Sequence, residues 1–77
     1  MTNHPNRSRA ANPASNPTPE EIKQARLAAG LTQAASAKLV YSNVRTWERW
    51  ESADRRMHSA IFDYFLIKTR QKKMEDL

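Results

Sequence analysis

The sequence predicts a small all-α domain, and three observations predict it. Apolar residues recur at helical spacing from Ile22 to Leu66. Residues that cap helices well, Thr18, Thr32 and Asn43, stand just before three of those runs. No stretch carries a strand signal, and no internal repeat occurs. The pattern centres on Leu31 to Glu51, where two short helical runs flank Tyr41-Ser42-Asn43, each too short to be stable alone.

Residues 1–17 contain three of the four prolines, several Asn and Ser, and almost nothing apolar. Such a segment buries too little surface to offset its chain entropy, so a disordered tail is expected there. Arg7 and Arg9 make it basic. Two readings stay open for it, a solvated leader or an arm that follows a phosphate backbone or enters a minor groove. The folded domain is expected over 18–77. Thr18, with Pro19 at the first helical position and Glu21 three residues on, forms a capping-box sequence that opens a helix over about 19–29. Ile22, Ala25, Ala29 and the neighbouring Leu27 supply its apolar surface, and Gly30, the one glycine, stands where a left-handed C-cap is needed.

The central pair follows over 32–52, spaced as a helix-turn-helix. Thr32 caps a run from Gln33 to about Val40, in which Ala37 is small enough to admit a second helix closely. Asn43 caps a run from Val44 to about Ser52. Trp47 and Trp50 fall three apart and can turn inward, while Arg45, Glu48, Arg49 and Ser52 share the opposite face. A polar connection, Ser52 to about Met57, leads to a last helix placed at 59–74. Ile61, Phe62, Phe65 and Leu66 make its core stripe; a second stripe, Tyr64, Ile67, Gln71 and Met74, leaves that face at an angle. Lys68, Arg70, Lys72 and Lys73 suit the negative end of the helix dipole.

Composition limits the classes of function. At 77 residues the chain has room for one core, and a partner subunit would help stabilise it. Thirteen Lys and Arg against eight Asp and Glu give a net charge of +5, which favours a polyanionic partner. There is no cysteine, and His4 and His58 are too far apart in sequence to suggest a ligand pair, so no metal or other cofactor is expected. No phosphate-cradling glycine loop or Ser-His-Asp grouping occurs, so neither catalysis nor a small-molecule substrate is expected. No apolar run approaches the roughly 20 residues of a membrane span and the start lacks a signal-peptide core, so a cytoplasmic protein with no membrane partner is expected.

Arg26 before Ala28-Ala29-Gly30, then Leu31-Thr32-Gln33, Ala37, Thr46 and the run Trp47-Glu48-Arg49-Trp50-Glu51 carry a resemblance. From Thr18 to about Thr69 the chain resembles the lambda-repressor-like helix-turn-helix proteins of the Cro/C1 or XRE type, compact phage and bacterial members above all. The resemblance implies a four- to five-helix domain that binds double-stranded DNA and regulates transcription, as a repressor or autorepressor acting as a homodimer on an inverted repeat. By that resemblance Val44, Arg45 and Arg49 face base edges in the major groove, where arginine can pair with guanine and valine can touch a thymine methyl. Gln33, Asn43, Thr46, Arg55 and Arg56 fall on phosphate-contact positions, although Thr46 can equally pack, and Arg55 and Arg56 can equally be a solvated loop. Arg26 and Glu51 match a structural ion pair. Tyr64, Ile67 and Met74 are the expected dimer surface. The alternative is a protein-interaction module that keeps the fold without reading DNA.

The sequence departs from the family pattern in three places. Ser36 stands where an apolar residue is usual, Tyr41 where the turn usually has glycine, and Ser42 where Val or Ile is usual. A tyrosine at left-handed backbone angles costs about 1 kcal/mol. One expectation is that the Tyr41 ring fills the volume left by Ser42.

Overall fold

Each helix begins where a side chain closes its first turn. The computed structural model describes residues 16–73, and in them the chain forms α1 (Pro19–Ala29), α2 (Gln33–Leu39), α3 (Val44–Glu51) and α4 (Ser59–Lys68), with no strand. Thr18 Oγ1 accepts from the Glu21 amide at 3.1 Å while the Glu21 carboxylate accepts from the Thr18 amide at 2.9 Å, completing the expected capping box. Thr32 Oγ1 caps Ala35 N, Asn43 Oδ1 caps Thr46 N and His58 Nδ1 accepts from Ala60 N. Gly30 ends α1 at φ +71°, and its amide donates to the Arg26 and Leu27 carbonyls. None of the four helices is long and apolar enough to cross a membrane.

The core gathers Ile22 and Ala25 of α1, Ala37 of α2, Trp47 and Trp50 of α3, Phe65 of α4 and Met57 from the α3–α4 connection. Trp47 is wholly buried, edge-on to Trp50 at 5.6 Å and tilted against Phe65 at 5.1 Å. Aromatic burial of this kind is worth about 3 to 5 kcal/mol to the fold at one site. Ala37 lets α2 lie directly on α3. Ile61, Phe62 and Leu66 pack partly buried around this centre, as their spacing predicts.

Several expectations are corrected. Leu27 points outward and is half exposed, because α1 turns only its Ile22 and Ala25 face to α3. Met57, assigned to a polar connection, is fully buried. Residues 16 and 17 belong to the domain and not to the tail: Pro17 is buried and Asn16 Oδ1 accepts from Ser59 N at 3.1 Å, giving α4 a cap from 43 positions away. The rest of the tail, with Arg7 and Arg9, and Met74 lie outside the described residues.

Helix α4 stops at Lys68 and not in the seventies. Arg70 takes a left-handed φ of +63°, and Gln71 N and Lys72 N turn back to the Leu66 carbonyl at 2.7 and 3.2 Å. The Thr69 hydroxyl donates to the Phe65 carbonyl, Gln71 Nε2 donates to the Ala25 carbonyl of α1, and Lys72 pairs with Asp63 at 3.0 Å. Together these bonds stop the helix without a glycine and fold the following residues against α1.

Tyr41 takes a left-handed backbone, at φ +59°. Its ring does not fill the space at Ser42. It is 87% exposed and stacks on Tyr64 of α4 with centroids 6.3 Å apart, because the left-handed turn carries the side chain outward from the core.

Candidate nucleic-acid interface

Helix α3 divides its residues sharply. Trp47 and Trp50 hold its inner side in the core, which leaves Arg45, Glu48 and Arg49 exposed in a row on the outer side and Val44 41% exposed at its start. Arg49 makes one loose contact, Nε to Asp54 Oδ2 at 3.9 Å between two exposed side chains, which solvent reduces to a weak attraction. Long guanidinium side chains on a rigid, core-anchored helix can reach a groove-shaped or planar acceptor outside the protein.

The α3 C-terminus runs into a tight turn. Ala53 adopts φ +70°, and the amides of Asp54 and Arg55 both donate to the Arg49 carbonyl, at 2.9 and 3.2 Å. That turn brings exposed Arg55 and Arg56 close behind Arg49 in the chain. At the other end of α3, a cleft of about 580 Å³ runs between α2 and α3 past Thr32, Ala35, Lys38, Ser42, Asn43 and Val44.

Two residues expected on phosphate have internal duties. The Asn43 side-chain oxygen is used by the Thr46 amide, and Thr46 itself is half buried. Gln33 is turned inward, with Nε2 donating to Glu51 Oε1 at 3.1 Å. The short-range caps were legible; the Gln33 contact spans 18 positions and had no local signal.

Glu51 organises the packing beneath the face. Its Oε2 accepts from Arg26 Nε and Trp47 Nε1, each at 2.6 Å, and its Oε1 accepts from Arg26 Nη2 at 3.2 Å as well as from Gln33. Arg26 also donates to the Leu31 carbonyl at 3.2 Å, so one guanidinium ties α1, the α1–α2 turn and α3 together. The side chains are 13% and 7% exposed. Burial pushes the Glu51 carboxyl up, but hydrogen bonds from Arg26, Trp47 and Gln33, with the Arg26 charge, outweigh it and hold the group below the ordinary glutamate range. The bond to Glu51 correspondingly raises Arg26, against the opposing effect of burial.

On α4, Tyr64 and Ile67 are half buried, and Lys68 Nζ lies 5.8 Å from the Tyr64 ring centre. Gln71 is off the helix and so does not extend their stripe. Among the described residues no three His, Asp or Glu side chains cluster closely enough to hold a metal ion.

These elements define an all-helical domain with a two-helix unit, α2 and α3, whose second helix shows a basic outer face. No known family model matches the chain, and no curated protein matches it as a relative.

Proposed function

We propose that the chain is a sequence-specific DNA-binding transcriptional regulator of the lambda-repressor-like, Cro/C1 or XRE kind, a phage or bacterial repressor or autorepressor. The observation that carries the reading is the outer face of α3: Val44, Arg45 and Arg49 are exposed on a helix fixed from beneath by two buried tryptophans. In this reading Arg45 and Arg49 reach guanine edges, Val44 meets a thymine methyl, and Arg55 and Arg56 lie along the phosphates. Gln33 and Asn43 contribute through their remaining polar atoms, since each side chain already makes a bond that supports the fold, and half-buried Thr46, whose amide is taken by Asn43, contributes through its hydroxyl. The net charge of +5 adds a sequence-independent attraction that weakens with salt.

The proposed unit on DNA is a homodimer formed through α4, where Tyr64 and Ile67 remain half exposed to a partner. Two-fold symmetry would set half-site centres about 10 to 10.5 base pairs apart, or a multiple of that. A selection from random duplexes, followed by titration of the winning site against its scrambled form, tests the reading. A preferred inverted repeat supports it, and equal binding to both duplexes defeats it.

A second reading, a protein-interaction module, has one observation in its favour. Tyr41 is held exposed on a strained turn and stacked on Tyr64, as an aromatic contact for another protein would be.

A further inference from the structure

Glu48 is the acid on the outer side of α3, exposed beside Val44, Arg45 and Arg49. Successive residues of a helix are about 100° apart, so that side carries two edges. Val44 and Glu48, one turn apart, make one edge, and Arg45 and Arg49 make the other.

Among the described residues the Glu48 carboxylate makes no ion pair and no hydrogen bond, although arginines stand three residues before it and next to it. Arg45 precedes it in the chain, the order that suits a helical pair poorly, and Arg49 leans instead toward Asp54 at 3.9 Å. A carboxylate set among arginines that meet a polyanion costs affinity for every sequence unless a donor outside the protein meets it. In the major groove the donors are the amino groups of cytosine and adenine, whereas guanine and thymine present acceptors. Adenine sets its N7 acceptor beside the amino group, which repels the second carboxylate oxygen, so cytosine N4 is the better match.

We propose that Glu48 is a specificity-determining residue that accepts a hydrogen bond from a cytosine amino group, on the same edge of α3 as Val44. The inference rests on the DNA-binding reading and deepens it: Arg45 and Arg49 favour guanine, while Glu48 rejects duplexes that put an acceptor opposite it. The step from Val44 to Glu48 is about 6 Å along the helix, so the cytosine falls within about two base pairs of the thymine assigned to Val44.

The test selects sites from random duplexes with the full chain as wild type, Glu48→Gln and Glu48→Ala, then titrates each selected site with every base pair changed in turn. The wild type is expected to prefer cytosine about tenfold or more at one position of the half-site, within the range of a good base contact. Glu48→Gln should change that preference to adenine, whose N6 and N7 a glutamine amide matches, and Glu48→Ala should leave no preference there, with the rest of the site unchanged. Both variants should bind scrambled duplexes at least as tightly as the wild type, because a repelling charge is gone. Glu48 is exposed, so both variants should keep the wild-type melting temperature. If both select the wild-type site with the same discrimination at every position, Glu48 is a solvated charge, and the inference falls while the regulator reading stands. A wild type that prefers no site overturns both.

Discussion

Gln33 donates from Nε2 to Oε1 of Glu51 at 3.1 Å, the carboxylate that also joins α1 to α3 through Arg26. A carboxylate can only accept, so the contact fixes which way the Gln33 amide points. Oε1 and the second Nε2 hydrogen are then what the side chain has left for a group outside. The start of α2 is therefore coupled to the same carboxylate that receives the Trp47 indole N–H at 2.6 Å.

The outer face of α3 yields the first prediction. Replacing Arg45 or Arg49 by Ala should cost about 1 to 3 kcal/mol of binding to the specific duplex. Gln33→Ala should weaken binding with less change in base preference and should also lower the melting temperature, since it removes a donor from Glu51. Titration against specific and scrambled duplexes separates the effects, and negligible losses for both arginines would remove α3 from the reading role.

A double-mutant cycle on Arg26 and Glu51 is the second. The pair is nearly buried, so removing one partner leaves the other uncompensated, at a cost on the order of 3 kcal/mol. Glu51→Ala should be worse than Arg26→Ala, because it also strands the Trp47 indole N–H and the Gln33 amide. Losing both residues should cost less than the two single losses added together. Strict additivity in denaturant melts would show that the pair contributes no coupling.

Stability should also fall in acid for the same reason. The folded-state pKa of Glu51 lies below its unfolded value, so the unfolded chain binds the proton more readily. The contribution is complete above the unfolded glutamate pKa, about 4.3, and is lost as pH falls through the lower folded value. Melting temperatures from neutral pH to pH 2 should drop below about pH 4.5, and Glu51→Gln should flatten that drop. An identical acid profile in wild type and variant would assign the loss to other carboxylates.

Ser36 offers a gain. It is fully buried, and its hydroxyl has no hydrogen-bond partner in the structure. Ser36→Ala removes an unsatisfied polar atom and raises helix propensity, so it should stabilise the domain by about 1 kcal/mol. For a domain of this size that corresponds to roughly 4 to 8 °C in Tm. A fall in Tm would mean that the hydroxyl is bonded in solution.

Self-association through α4 is the fifth expectation. Ile67→Asp should turn a dimer seen by sedimentation at micromolar concentration into a monomer without unfolding it, because Ile67 lies outside the buried core. A wild type that stays monomeric both free and on its selected duplex defeats the dimer. A dimer unaffected by the substitution places its interface elsewhere.

The ends of helices were readable where a local residue makes them. Thr18, Thr32, Asn43 and Gly30 each act within about four positions, and each stands where the sequence puts it. The stop of α4 was not readable, because it rests on a left-handed arginine and on Gln71 reaching 46 positions back to Ala25. Met57 was hidden for a similar reason: its neighbours are polar, and only the closing of the connection over the core buries it. For the candidate site, the inward and outward sides of α3 followed from the spacing of Trp47 and Trp50. The inward turn of Gln33 did not, since the Glu51 that claims it belongs to another helix.

The hydrogen bond from Ser59 to Asn16 makes the start of the domain a point of mechanical attachment. A pull that arrives at Asn16 passes through this bond to the opening turn of α4. Tension at Asn16 would therefore be delivered to the start of α4 before it reached the capping box of α1. A shortened chain beginning at Thr18 would lose that tether while keeping every helix, and so would separate the handle from the fold it acts on.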